Sequence, residues 1–164
     1  MMSGGGGLAG TVPDYLRFAQ CMANGGELDG ARILSRKTVE WMATSQLGRM
    51  DGGGAQRDMA MMPPPSEGGY SEALAASGTG FGLGFSVDLR PDAFPYMTSE
   101  GAFGWGGAAS TVFWVDPTEE LVCVFATQLR FRDDFKLPLA ALLHNLVYGC
   151  VVDGGAGGGG RSRV

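Results

Sequence analysis

The chain has 164 residues, 45% of them apolar and 18% charged, enough for one domain with a core of its own. Its net charge is −5 at neutral pH with no offsetting cluster of Lys and Arg, which argues against a nucleic-acid partner because phosphate binding needs concentrated positive charge. The cysteines Cys21, Cys123 and Cys150 are far apart and form no Cys-x-x-Cys pair, so the expectation is buried free thiols and no metal site.

In chain order, Met1-Met2-Ser3 lacks the charged start and apolar run of a secretory signal, and no later stretch has the length and apolarity of a membrane span. The compartment stays open. Thr11 is an expected N-cap, with Asp14 completing a variant capping box and Pro13 in the first turn. Tyr15, Phe18, Ala19 and Met22 follow at i, i+3, i+4 and i+7, which predicts an amphipathic helix with that face inward. Asn24-Gly25-Gly26 ends it, and a turn is expected at Asp29-Gly30. Ser35 caps a second short helix whose Val39 and Met42 face inward.

Residues 48–79 read as an irregular loop, with Gly52-Gly53-Gly54, a methionine cluster at 59–62 and Pro63-Pro64-Pro65. The methionines patch an irregular core, sit in a disordered insertion or form a lid over a pocket. From residue 80 the period changes to two, with Phe81, Leu83, Phe85 and Val87 alternating with Gly82, Gly84 and Ser86. Residues 109–115 and 121–128 predict a hairpin around Asp116-Pro117-Thr118, apolar on both faces and therefore covered on both or central in a sheet. Pro138 suits the first position of a last helix. In that helix Leu139, Leu142, Leu143, Leu146 and Val147 form the apolar stripe and Gly149 closes it. His144, the only histidine, is expected at the surface or near the helix end, and no Ser-His-Asp constellation can be assembled around it. Residues 153–164 read as a glycine-rich disordered tail.

Gly104-Trp105-Gly106-Gly107-Ala108-Ala109-Ser110-Thr111 leads into the predicted hairpin. Glycine at a strand entry lets another backbone approach closely, because no Cβ intervenes, and equally marks a bulge or bend. Trp105 offers stacking area and one N–H donor, and it either lines a pocket or packs on the sheet.

These segments resemble the serine β-lactamase-related hydrolases: class C β-lactamases, penicillin-binding-protein-like enzymes and the esterases on that fold. Trp105-Gly106-Gly107 is similar to their third motif, Lys-Thr-Gly or a variant such as Trp-Gly-Gly. Ser3 to Phe18, with Gly-Gly-Leu, Asp-Tyr and Arg-Phe, is similar to another stretch of the family. So are Asn24 to Gly30 with Ile33-Leu34-Ser35, and Phe81 to Phe85. The resemblance covers most of residues 3–150 and implies an α/β fold. It predicts part of the β-lactamase/transpeptidase-like domain, an antiparallel sheet with a C-terminal helix packed on it and two N-terminal helices. It also implies that Trp105, Gly106 and Gly107 bind substrate, that Gly107 permits the strand twist there, and that the backbone N–H of Ala108 is one oxyanion-hole donor.

The family's nucleophile motif Ser-x-x-Lys does not occur in the sequence, and neither does Tyr-x-Asn or Ser-x-Asn. In the family both precede the region matched here. The resemblance therefore implies the C-terminal part of a serine hydrolase that cleaves an ester, amide or β-lactam through an acyl-serine. Without the nucleophile half it would carry no catalytic residue, require no cofactor and be inactive alone. The alternative is a non-catalytic binding or assembly module on the same sheet. The ordered apolar periodicity argues against a glycine-rich structural protein.

Overall fold

The computed structural model describes residues 7–46, 78–107, 109–129 and 139–152. The expectations for most of the loop, Pro138 and the tail lie outside these residues.

Helix α1 spans Val12–Ala23. The Thr11 side chain accepts from the Asp14 N–H at 3.3 Å and donates to the Asp14 carboxylate at 2.6 Å, as the sequence predicts. The helix ends in a Schellman motif. Gly26 N–H donates to Cys21 C=O (2.8 Å) and Gly25 N–H to Met22 C=O (3.0 Å), with both glycines in the left-handed region. The chain then makes a two-residue hairpin, β1 (Glu27–Leu28) against β2 (Ala31–Arg32). Its turn residues Asp29 and Gly30 both have positive φ, the geometry that matches strand twist. Helix α2 (Arg36–Met42) starts at Ser35, whose hydroxyl accepts from the Thr38 N–H at 3.1 Å.

Among the described residues the main sheet has five strands in the order β3 (Thr79–Phe81), β4 (Ser86–Asp88), β5 (Phe103–Gly106), β6 (Val112–Asp116) and β7 (Leu121–Phe125), each antiparallel to its neighbour. Helix α3 (Leu139–Tyr148) is the last helix among the described residues. The glycine-spaced run from 80 to 87 is a hairpin and not the single strand that its alternation predicts. Gly82 N–H donates to Phe85 C=O (2.8 Å) and Gly84 turns with φ +96°. A Cβ at Gly82 would collide with the Met42 carbonyl, and Leu83 N–H donates to that same carbonyl at 3.0 Å. The period-two glycines record a close approach to the end of α2 followed by a turn. Gly78 and Thr79, read as part of the irregular loop, belong to this hairpin: Leu89 N–H donates to Gly78 C=O at 2.9 Å and Thr79 opens β3.

Register sorts the side chains onto two faces. Phe103, Phe113, Val115, Val122 and Val124 stand with Val87 on one face, where Ala19, Cys21 and Met22 of α1 and Val39 of α2 complete the apolar core. The inward face of α1 is therefore rotated from the predicted one. Ala19 and Met22 are buried, but Tyr15 and Phe18 lie at its exposed margin and Cys21 takes a core position. Burying a side chain of the size of Met22 contributes about 1.5–3 kcal/mol.

The other face carries Ser86, Asp88, Gly104, Trp114, Asp116 and Cys123, and α3 lies over it. His144 is the buried residue of α3, which corrects the surface position expected for it. Its ring stacks on Trp114 (centroids 3.9 Å apart) and lies near Tyr96 (4.5 Å), with Nδ1 3.3 Å from Met97 C=O. Leu142 and Leu146, predicted to face inward, are exposed, because they lie on the opposite side of the helix from His144. Cys150 is exposed and Cys123 half-buried, so only Cys21 fits the expectation of a buried thiol.

Candidate functional site

The site is built on β5, the middle strand of the sheet. Gly107 N–H donates to Thr111 C=O at 2.9 Å, so Gly107 and Trp105 turn their backbone groups toward β6. By alternation the groups of Gly104 and Gly106 point to the other edge. Gly104 meets Ser86 there, and the Ser86 hydroxyl also donates to its carbonyl at 2.9 Å. Strand β4 begins at Ser86. Among the described residues no strand pairs with β5 beyond Gly104 on that side, and the N–H and C=O of Gly106 face an open edge.

Beside this edge lies a groove of about 270 Å³ between the ends of β5–β7 and helix α1. Phe113, nearly buried, lies at its base. Trp105 is paired with Phe113 across the strands, and Tyr15 descends from α1 onto the same phenyl ring, centroids 5.1 Å apart and edge-on. Trp105 (43% exposed) and Tyr15 (45% exposed) each present one side to solvent. Trp105 is steadied by an edge-on contact with Phe81 at 5.0 Å. No lining residue is charged. Partial burial holds the Tyr15 phenol above its ordinary pKa, so it is a neutral hydroxyl at physiological pH and no base.

Of the residues singled out from the sequence, Trp105, Gly106 and Gly107 all line the groove, and Ala108 lies outside the described residues. Gly107 does not have the left-handed backbone that would demand glycine. What limits it is space, since a Cβ there would stand 2.5 Å from the Thr111 hydroxyl. The strained backbone is at Ser110, a non-glycine residue with φ +57° in the turn that returns β5 to β6. Tyr15 was not foreseen. In a helical pattern it reads as core, and only the tertiary fold shows that the helix overhangs the strand ends at its position.

A second cavity, of about 250 Å³, lies on the opposite face between β4–β6 and α3. It adjoins a hydrogen-bonded network. Thr98 donates to Asp88 Oδ2 (2.7 Å) and Tyr148 to Asp116 Oδ2 (2.6 Å), while Asp116 Oδ1 accepts from the backbone N–H of Thr118 and Glu119. Burial, aided by the neighbouring Asp116, raises the Asp88 carboxyl against the pull of the Thr98 bond. Burial and the Asp88 charge push Tyr96 up to about 12. Burial lowers His144, opposed by the Met97 carbonyl and Asp116. Asp116 is the turn residue the sequence predicts, and it also ties α3 to the sheet.

Among the described residues no group of His, Cys, Asp and Glu is arranged to hold a metal ion, and no helix is long and apolar enough to cross a membrane.

The described residues, a five-stranded antiparallel sheet with two helices before it and one after and a glycine-flanked strand opening on a groove, have the architecture of part of the β-lactamase/transpeptidase-like fold. Among solved structures, EstCE1, a hydrolase with promiscuous acyltransferase activity, superposes with a TM-score of 0.62 at 19% identity, over 85% of this chain and 30% of its own. The simvastatin synthase LovD of Aspergillus terreus gives 0.55 at 19% identity, over 82% and 33%. A β-lactamase family model matches residues 1–146, and the chain belongs to that family. An uncharacterized protein of Mycobacterium tuberculosis is 32% identical over 127 residues, which are 76% of this chain and 28% of the relative. The acyltransferase calJ of Penicillium decumbens is 30% identical over 125 residues, again 76% and 28%. The chain thus spans less than a third of the length of the curated relatives it matches.

Proposed function

We propose that residues 3–150 form the C-terminal part of the catalytic domain of a β-lactamase-related serine hydrolase, with residues 153–164 a glycine-rich tail outside it. The part supplies the substrate-side wall: Trp105, Gly106 and Gly107 along the substrate, and the Ala108 N–H as an oxyanion donor. The observation that carries this is the open edge of β5 beyond Gly104 beside an uncharged groove. A substrate backbone or acyl group laid along that edge would find the Gly106 amide and carbonyl without displacing a strand.

The reaction needs a serine activated by lysine from a Ser-x-x-Lys motif, and a Tyr-x-Asn element for proton transfer. The sequence holds neither, so the chain alone forms no acyl-enzyme. In the completed domain the serine oxygen attacks the ester or amide carbonyl. The oxyanion is held by the nucleophile's own N–H and that of Ala108, a donor whose loss costs about 10²–10³ in rate. Trp105 stands where many relatives carry lysine or histidine and cannot hold an anion by charge, which favours an ester or amide over a carboxylate-bearing β-lactam.

The test is complementation. A fluorophosphonate should leave the mass of the purified chain unchanged. Co-expression with a family N-terminal half bearing Ser-x-x-Lys and Tyr-x-Asn should restore hydrolysis of a short-chain acyl ester. Gly107→Val should abolish that activity by driving a branched side chain into Thr111. An active pair indifferent to Gly107→Val would show that β5 is not the substrate wall, and a serine adduct on the chain alone would favour a self-sufficient enzyme. A groove shaped entirely by this chain's own residues also suits a non-catalytic binding module. That reading predicts ligand binding by the chain and no activity on complementation.

A further inference from the structure

We propose that Tyr15 is a specificity-determining residue: with Trp105 it forms an uncharged aromatic clamp over Phe113 that admits a neutral, apolar acyl group and rejects a carboxylate. This rests on the reading of β5 as the substrate strand and names the acyl class that strand would hold.

Three observations converge. First, the geometry is that of two walls and a base. Trp105 and Tyr15 come from different elements, a strand and a helix, and line one groove with the same buried ring, Phe113: Trp105 as its cross-strand partner and Tyr15 edge-on to it. Each wall leaves nearly half of its surface exposed, aromatic area that a ligand could cover. Second, the lining is wholly uncharged and mostly apolar, with Val112, Val124 and Phe125 extending it beyond the rings. An aliphatic or aromatic acyl group gains contact there, while a carboxylate would lose water and find no cation. Third, the groove is continuous with the open edge, since Gly106 and Gly107 line it. An acyl chain in the clamp would run from the carbonyl that meets the strand. The volume of about 270 Å³ exceeds the ~150 Å³ of an apolar cavity known to take up benzene, so a medium acyl group fits.

The ring of Tyr15, not its hydroxyl, makes the wall. That separates a clamp from a hydrogen-bonding role.

The chain as it stands serves for the test, since binding requires no nucleophile. Hexanamide and hexanoate differ in charge and hardly in shape. Titration followed by tryptophan emission should show hexanamide binding, with hexanoate weaker by about tenfold or more because the ion is desolvated without a partner. Trp105→Phe should remove the emission change, assigning it to the groove and not to Trp41 or Trp114. Tyr15→Ala should weaken hexanamide by about fivefold or more, and Tyr15→Phe should leave it within about twofold. Unaltered far-ultraviolet circular dichroism would show that α1 persists in each variant. Equal binding of the two ligands, no binding of hexanamide by the parent, or affinity unmoved in folded Tyr15→Ala would each overturn the clamp. These outcomes are independent of complementation: an active completed enzyme with an unselective groove refutes the clamp alone, and a selective groove in a pair that stays inactive refutes the hydrolase reading alone.

Discussion

The two faces of the central sheet are both covered by helices, yet different physics attaches them. Under α1, the contacts are Ala19, Cys21 and Met22 against Phe113, Val115, Val122 and Val124, a dry apolar layer with no polar side chain in its buried cluster. Under α3, the same strands present Trp114 and Asp116, and the helix answers with His144 and Tyr148 through one ring stack and one short hydrogen bond. An apolar layer is non-directional and tolerates a change of shape at constant volume. A buried polar network is directional, and losing one partner leaves the other desolvated and unpaired. The groove belongs to the first face, where an apolar acyl group would find like surroundings. The second face fixes α3.

That contrast is open to direct test by urea unfolding. Met22→Ala should cost about 2–5 kcal/mol, since Met22 is 1% exposed and its removal leaves a cavity, whereas Met22→Leu should cost less than about 1.5 kcal/mol. A similar loss for both would deny that the α1 face is a volume-determined layer. On the other face a volume-conserving change should be expensive. Tyr148→Phe keeps the ring but takes the donor from buried Asp116 and should cost about 1–3 kcal/mol. If Tyr148→Phe is neutral, the bond to Asp116 does not anchor α3.

Ser110 lies on neither face and serves as a control. Glycine accepts φ +57° without a Cβ penalty, so Ser110→Gly should stabilise by about 1 kcal/mol with no change at either helix. A loss of stability would mean that the Ser110 side chain contributes more than its backbone strain costs.

The smallest effect expected is the pH dependence, and it belongs to the α3 face. Burial holds His144 below its ordinary value, so as pH falls below about 6.5 the unfolded chain takes up a proton that the folded chain refuses, and stability drops. Asp88 has the opposite sign. Its carboxyl is raised, so protonation from about 3.9 upward favours the folded state and offsets part of the loss at lower pH. His144→Phe keeps a stacking ring without the titration. It should flatten the fall in Tm between pH 7 and pH 5, and an unchanged slope would place the titrating group elsewhere.

The open edge of β7 bears on all these measurements. Among the described residues β7 ends the sheet, and it carries Leu121 to Phe125 with no charge, a surface that invites further strand pairing. Under the proposed function the isolated chain should associate or express poorly. A monomeric, sharply cooperative transition would count against a missing half.

What the sequence determined by itself is local. Thr11 and Ser35 set helix starts because a hydroxyl one residue ahead satisfies orphan N–H groups. Gly25-Gly26 ends α1 and Asp29-Gly30 turns a hairpin because those backbones need positive φ. The motif residues Trp105, Gly106 and Gly107 were legible as a strand entry, and their order along the chain carried the family. What tertiary structure decided is which side of each element is inside. Periodicity counts leucines inward, but the sheet face opposite α3 offers Trp114 and Asp116, and such a surface selects an aromatic ring with a hydrogen-bonding atom, so His144 is buried and Leu142 and Leu146 are not. Likewise, Phe-Gly alternation cannot say whether its glycines face a neighbouring strand or a helix carbonyl. The Met42 carbonyl turned an apparent strand into a hairpin, and the overhang of α1 beyond the strand ends turned Tyr15 from a core residue into a wall of the groove.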